Sequence, residues 1–310
     1  MKHILFTLTI ILLSIAAYSQ NPDKALARVS YTYTHIEDTT QKDKPRTENM
    51  LLITGKNASL YTSYDKVNQS INISKQIQEQ IKNSAGGPQN IKIESKQSKP
   101  ITQIDYFFFA NEHKMVTKER LFNTYLVEEE AAAIDWSITK DTASFSGVHC
   151  QKATAHFKGR NWIAWFAPEI PFQSGPWKLN GLPGLIVEAY DDKKEIQFQF
   201  AGLENVKEGA ATETNAPKTT IGGLTVNIVG VDTGKDYLGS EIKLPADAIK
   251  TTRKDLDKLK AARDKDPQGF MQAQMAASGI NGTFRRSSAP PTAGNPAIVV
   301  NNPIELPEKK

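Results

Sequence analysis

"GPWKLNGLPGLIVEAY", residues 175–190, places three glycines and two prolines around one tryptophan and then continues into an apolar run. Glycine and proline turn a backbone sharply, and the run 185–190 has the composition of a β-strand. The stretch therefore predicts a corner that directs a strand into a sheet. A nucleophile elbow is excluded because it requires G-x-S-x-G between a strand and a helix. A phosphate loop is excluded because it leads into a helix and carries a lysine and a hydroxyl residue.

Three residues are predicted to shape this structural turn. Pro183 fixes φ at its first position, and Gly184 supplies the positive φ of a type II turn. Gly181 has no β-carbon, so another backbone or a ring such as that of Trp177 can approach it closely. The corner is thus interpreted as architecture.

The strands around this corner are predicted to pair in two hairpins. Apolar residues alternate along each strand, so the correct register places them together on one buried face. With turns at Gly159–Arg160 and 191–194, the predicted cross-strand pairs are Phe157–Trp162, Ala155–Ala164, Ala153–Phe166, Ala189–Ile196, Val187–Phe198 and Leu185–Phe200.

Alternation with a period of two extends through the first two hundred residues and predicts further strands. Val29, Tyr31 and Tyr33, for example, alternate with polar residues. The other predicted strands lie at 50–54, 59–64, 104–110, 113–117, 122–129 and 224–232. These patterns predict a mainly β fold: a curved antiparallel sheet, in the form of a half-barrel, bowl or sandwich, with a few peripheral helices.

Helical spacing of residues predicts two of those helices, and a helix-start signal predicts one more. Asp266 and Pro267 predict one helix start, because aspartate caps free amides and proline fits the first turn. A second helix is predicted from the spacing of Ile73, Ile77 and Ile81, with a mobile insertion as the alternative. The third is predicted from Ile249, Thr252, Leu256 and Leu259.

The first twenty residues have the three-part layout of a secretory signal peptide: one lysine, an apolar run, then small or polar residues. The run Ile4–Ala17 is shorter than the roughly 20 residues that span a bilayer. We therefore expect an exported protein, periplasmic or extracellular, without a transmembrane segment in the mature chain. The predicted organisation is a signal peptide at 1–19, an antiparallel β domain at 20–204 with a helical insertion near 66–90, a β/helical extension packed on it at 205–280, and an extended or disordered tail at 281–310.

Charge and cysteine content limit the function classes. The formal net charge of +4 is spread over 310 residues, whereas nucleic-acid binding usually requires a concentrated basic face. A nucleic-acid partner is therefore not expected. Cys150 is the one cysteine, so no intrachain disulfide can form and stability must come from packing.

No residue pattern singles out a catalytic, metal or cofactor site. A cysteine nucleophile needs a base within hydrogen-bond reach, but Cys150 and His156 are about 20 Å apart on an extended strand at about 3.3 Å per residue. A buried packing thiol is the favoured interpretation. The five histidines lack the usual zinc-ligand spacings. A zinc site assembled from distant residues, such as His113, His149 and Cys150, is the alternative.

Aromatic residues suggest a ligand groove. Trp162, Trp165, Phe166 and Trp177 are predicted to line the concave face of the curved sheet and bind an apolar ligand, a peptide or a protein partner. The alternative is that the same rings fill the core, since an enclosed tryptophan and a ligand-gripping one look alike in sequence.

Four segments resemble the GLPGLI family of exported proteins from Bacteroidota. They read DWSI (135–138), GVHCQKA (147–153), AWFAPEIP (164–171) and SGPWKLNGLPGLI (174–186). The resemblance implies export and a β-rich domain but no reaction. We expect a non-enzymatic binding or cell-envelope interaction protein; the alternatives are a secreted hydrolase and a scaffold for an outer-membrane transport machine.

Overall fold

The computed structural model describes residues 22–83, 100–206, 220–221, 224–225, 237, 239–277 and 300–308. The predicted signal peptide lies outside the described residues. The helices are α1 (Tyr64–Asn83), α2 (Arg253–Lys265) and α3 (Pro267–Ala277). The strands are β1 (Asp23–Lys24), β2 (Ala27–His35), β3 (Arg46–Thr54), β4 (Ala58–Ser63), β5 (Asp105–Phe109), β6 (Lys114–Arg120), β7 (Thr124–Glu130), β8 (Ser137–Phe145), β9 (Val148–Phe157), β10 (Arg160–Ala167), β11 (Leu185–Asp191), β12 (Ile196–Asn205), β13 (Thr220–Ile221), β14 (Leu224–Thr225), β15 (Glu241–Ile242) and β16 (Ile249–Thr251).

A 12-stranded sheet dominates the described chain, in the order β16-β7-β6-β5-β4-β3-β2-β12-β11-β10-β9-β8. Its pairs are antiparallel except β16–β7, which is parallel. Buried and half-buried residues alternate along β2 as the sequence predicts. The mainly β fold with peripheral helices is therefore confirmed. Among the described residues, no helix is both long and apolar enough to cross a membrane.

The sheet curls strongly. Tyr61 on β4 and Phe198 on β12 are three strand spacings apart in the sheet, and each spacing is about 4.8 Å. Their ring centroids nevertheless lie only 6.1 Å apart, because the sheet bends around them. This curl creates a concave face, on which the larger core cluster forms.

The opposite face of β3–β6 carries a second core. Val67 of α1, Phe107 and Val116 of the sheet, and Ile242 of β15 are buried in one cluster there. On the concave side, Leu256 of α2 is buried against β7. Helices thus cover the sheet on both faces.

The β9–β10 register differs from the prediction by two residues. Lys158 and Gly159 both have positive φ, 54° and 71°, which is the requirement of a type I′ hairpin turn. The turn therefore precedes Arg160, and Trp162 pairs with Ala155 instead of Phe157. A shift of two preserves the parity of the strand, so the same side chains stay on the buried face.

The β11–β12 register shifts in the same way. Ala189 pairs with Phe198 instead of Ile196. The connection is residues 192–195, and the Asp191 Oδ1 accepts a hydrogen bond from the Ile196 amide at 2.9 Å. The side chain of Asp191 thus closes the turn, and the predicted face is again retained.

Both glycines of the corner have positive φ, and the close approach predicted at Gly181 lies at Gly184 instead. Gly181 has φ +88° with open space around a β-carbon, so it supplies the positive φ. Gly184 has φ +154°, and a β-carbon there would lie 2.2 Å from the Ala167 carbonyl oxygen. Gly184 therefore has the predicted positive φ and also allows the close backbone approach, but its φ is far from the roughly +80° of a type II turn, so that turn type is wrong.

The predicted helices are found with one correction. Ile249 was expected in a helix but lies in β16, because Thr252 caps the helix that follows: its Oγ1 accepts from the Asp255 amide at 3.1 Å. The start at Asp266 is confirmed, since its Oδ1 accepts from the Gly269 amide at 2.9 Å. Parts of three predicted features lie outside the described residues: the strand 224–232 beyond β14, the helical insertion and the tail. The domain boundaries stay a prediction.

Candidate binding site in the concave face

The structure brings three of the four predicted ligand-binding residues together. Trp162, Phe166 and Trp177 lie in the concave-face core and are 1%, 1% and 4% exposed. The ring centroids of Trp162 and Trp177 are 5.5 Å apart. Their assignment as ligand-binding residues stays a prediction, and their burial is what the filled-core alternative expects.

Trp165 points to the other side of the sheet. It is half-buried there, its ring centroid lies 5.6 Å from that of Phe145, and its Nε1–H points at the Tyr190 hydroxyl at 3.5 Å. Strand parity explains the separation, since neighbours along a strand project to opposite faces. Trp165 is therefore not in one site with the other three.

The chain itself fills most of the concave face. The segment 168–184 between β10 and β11 places Leu179 and Leu182 in the core, each 1% exposed. Where this segment meets Thr54 and Phe108, the cleft is about 20 Å³, which is room for about one water. A large apolar ligand therefore has no preformed cavity at this cleft.

Polar groups gather beside this segment around Tyr106. Tyr106 is the cross-strand partner of Tyr61, and the Lys178 Nζ lies 5.8 Å from its ring centroid. On the other side, Arg253 of α2 donates to Thr117 Oγ1 at 2.6 Å. Thr117 lies on β6 and is the cross-strand partner of Tyr106. We call Tyr61, Tyr106, Trp177, Lys178 and Arg253 the Tyr106 cluster.

One donor of this cluster, the Tyr61 hydroxyl, is buried without a hydrogen-bond partner. Burial raises the pKa of both Tyr61 and Tyr106, and a hydrogen bond with the Trp177 side chain partly opposes this at Tyr106. Trp177 also has φ +55°, a strained conformation for a residue with a β-carbon, which concentrates at functional sites. The Tyr61 hydroxyl can therefore donate a hydrogen bond to an acceptor that enters the cluster.

Cys150 behaves as a packing thiol, as predicted. It is 2% exposed, and its Sγ lies 3.6 Å from the Val148 carbonyl oxygen. Burial raises the pKa of the thiol to about 11, which suppresses the nucleophilic thiolate. His149, the next residue in sequence, is exposed on the opposite face of β9.

The remaining candidate histidines do not gather into a metal site. His113 is in the β5–β6 turn, far in strand order from His149 and Cys150 on β9. Within the described part of the chain, no group of three or more histidine, cysteine, aspartate or glutamate side chains could hold a metal ion. His156 contacts one carboxylate, with Nε2 2.8 Å from Glu308, but both side chains are more than half exposed.

A buried ionic cluster is missed by sequence reasoning. Asp105 is fully buried under α1, with Lys66 in an ion pair and the Lys118 Nζ at 3.1 Å. Tyr237 and Thr62 donate to the same carboxylate at 2.9 and 2.6 Å. The two lysines lower the pKa of Asp105 against the opposing effect of burial, which is the largest single influence. The alternation in IDYFFFA predicts a strand but not these partners.

Glu188 is also missed. The β11–β12 ladder contains only Ala189–Phe198 and Tyr190–Gln197, and the Glu188 side chain lies where the ladder ends. Burial raises the pKa of Glu188 to about 7, and a hydrogen bond from the Phe200 amide partly opposes this. A glutamate inside an apolar strand is the signal that sequence analysis could have used.

A family profile described as "Protein of unknown function (Porph_ging)" matches residues 50–188. No curated protein is significantly similar to the chain. Two solved structures of PNGF-II, in the P21 and C2 space groups, are similar at a TM-score of 0.41 with 10% and 11% identity. The match covers 59% of this chain but only 29% and 28% of those chains, and a likeness at this level carries no functional information. The chain thus matches, over 50–188, the profile of an uncharacterised domain.

Proposed function

We propose that this chain is an exported, non-enzymatic binding protein of the GLPGLI type that holds a peptide segment of a cell-envelope partner at the Tyr106 cluster. The observation that supports it is the buried, unpartnered hydroxyl of Tyr61. A buried donor without a partner costs about 1–3 kcal/mol. A ligand carbonyl that accepts from the Tyr61 hydroxyl would recover that cost on binding.

The charges around the cluster favour an uncharged ligand group. The Lys178 Nζ is 2.7 Å from Glu305, and the Arg253 Nη1 is 2.5 Å from Glu119. Both cations are thus already paired with carboxylates. A peptide carbonyl with apolar side chains on the aromatic faces suits this site better than an anion.

The other two function classes have less support. Cys150, buried and with its pKa raised to about 11, is a poor hydrolase nucleophile. A scaffold for a transport machine would present an exposed aromatic patch. The exposed large hydrophobic residues of the described chain lie on separate elements: Leu26, Tyr64, Ile138, Ile249 and Val300.

Native mass spectrometry of the full chain recovered from its own cell envelope tests the proposal. We expect the wild type to carry a peptide or protein mass. Tyr61→Phe should lower its occupancy by about tenfold, the loss of one buried hydrogen bond. Trp165→Phe, on the opposite face, is the matched control and should retain the ligand.

A wild-type chain with no bound mass contradicts the proposal. So does equal occupancy in Tyr61→Phe and wild type. Circular dichroism of each variant confirms that a lost ligand does not reflect unfolding.

A further inference from the structure

Residues 300–308, here called the C-terminal strap, lie in a groove across the ends of β2, β9, β10 and β11. The amides of Asn301 and Asn302 donate to the Glu37 carbonyl oxygen at 3.1 and 3.0 Å. Farther along, the Leu306 amide donates to the Lys158 carbonyl oxygen at 3.0 Å. The groove therefore holds the strap by its backbone at both ends.

The side chain of Asn302 is also held by hydrogen bonds. Its Nδ2 donates to the Ile36 carbonyl at 2.8 Å and to Glu195 Oε2 at 3.1 Å. Its Oδ1 accepts from Arg160 at 2.6 Å, and its carbonyl oxygen accepts from His35 Nε2 at 2.7 Å. An aspartate in place of Asn302 would bring a carboxylate oxygen against the Ile36 carbonyl and Glu195. The pocket therefore selects asparagine.

Arg160 donates hydrogen bonds to the next two residues of the strap. Its Nη2 and Nε donate to the carbonyl oxygens of Pro303 and Ile304 at 2.6 and 2.9 Å. Its Nη1 is held 2.8 Å from Asp191, and the residue is 4% exposed. A guanidinium oriented in this way provides a rigid, prearranged set of donors for an extended chain that proline favours.

The acidic end of the strap meets donors on the β9–β10 hairpin. Glu308 accepts from the Gly159 amide at 2.9 Å and lies 2.8 Å from His156 Nε2. A β-carbon on Gly159 would lie 2.5 Å from the Leu306 carbonyl oxygen. The hairpin glycine thus makes room for the strap backbone.

We propose that this groove is an exchangeable peptide-binding site for the pattern Asn-Pro-Ile-Glu, and that it takes the C-terminal strap of a second copy of this chain. The contacts are sequence-specific hydrogen bonds to one extended segment, which is how a peptide-recognition site works. Residues 278–299 connect the strap to α3 and can span at most about 70 Å at about 3.3 Å per residue, enough to reach a neighbouring copy. This inference does not depend on the function proposed for the Tyr106 cluster.

The test uses the full chain with a protease site inserted within 278–299, which is cut so that the strap is held non-covalently. A fluorescently labelled synthetic peptide of residues 300–310 is then added and its anisotropy is measured. We expect saturable binding that unlabelled peptide reverses. Peptide with Asn302→Asp should bind at least about tenfold more weakly, because it loses the two hydrogen bonds that the Asn302 amide donates and places a carboxylate oxygen against the Ile36 carbonyl and Glu195. Peptide with Val300→Ala, at a residue 54% exposed, is the matched control and should bind like wild type.

Absence of exchange in cut protein that is folded by circular dichroism overturns the proposal, as does equal binding of the Asn302→Asp and wild-type peptides. In the uncut chain we expect dimers that excess wild-type peptide disperses. A chain that is monomeric up to its highest soluble concentration rules out the second copy as the occupant.

Discussion

Glu188 shows how one buried carboxyl group makes stability depend on pH. Its folded-state pKa is raised to about 7 from 4.5 by burial, so the folded chain binds its proton more tightly than the unfolded chain. Stability from this group is present below pH 4.5 and is lost as the pH rises through 7. We expect Glu188→Gln to stabilise the protein at pH 8 by about 1 kcal/mol, a value reduced for solvent screening, and to have little effect at pH 4.5.

Urea unfolding at both pH values measures this difference. Glu169→Gln, at an exposed position, is the control and should change stability at neither pH. A stabilisation by Glu188→Gln that is the same at pH 4.5 and pH 8 would show that the pKa of the carboxyl group is not raised in the folded chain.

At the scale of the element, the corner before β11 depends more on Gly184 than on Gly181. A β-carbon at Gly184 would lie 2.2 Å from the Ala167 carbonyl oxygen and would force β10 and β11 apart. We expect Gly184→Ala to destabilise the fold by at least about 3 kcal/mol. Gly181→Ala meets no atom within 4 Å and should cost about 1–2 kcal/mol, from the positive φ alone.

Thermal or urea unfolding of the two variants gives their order. If Gly181→Ala is the more destabilising change, then the close approach at Gly184 does not limit the corner, and the type II turn interpretation regains support.

At the scale of the whole molecule, Asp105 connects four separate parts of the chain. Its partners Lys66, Lys118, Thr62 and Tyr237 belong to α1, β6, β4 and the segment before β15. Removing one partner of a buried ion pair costs about 3–5 kcal/mol, so we expect Asp105→Asn to lower the free energy of unfolding by about that amount.

Denaturant unfolding monitored by far-UV circular dichroism measures the loss. The matched control is Asp141→Asn, which removes an ion pair to Lys152 whose aspartate side chain is 59% exposed; an exposed pair contributes about 0–1 kcal/mol. Equal effects of the two substitutions would contradict the structural role of the Asp105 cluster.

Local periodicity in the sequence determined which segments are strands and which face of each is buried. Phe157, Trp162 and Phe198 lie on the predicted face even though both hairpin registers differ by two residues from the prediction. Side chains alternate with a period of two, so a two-residue shift leaves their faces unchanged. The turn positions were predictable less well, since positive φ at Lys158 has no signal in composition.

Only the tertiary structure decided which distant residues meet. Tyr61, Tyr106 and Trp177 come together because the sheet curls and the segment 168–184 lies inside the curl, and Arg160 meets Asn302 because the strap crosses the β9–β10 hairpin. A pattern along the chain records alternation between the two faces of a strand. It does not record sheet curvature or contacts across more than a hundred residues, because these depend on how all the strands pack at once.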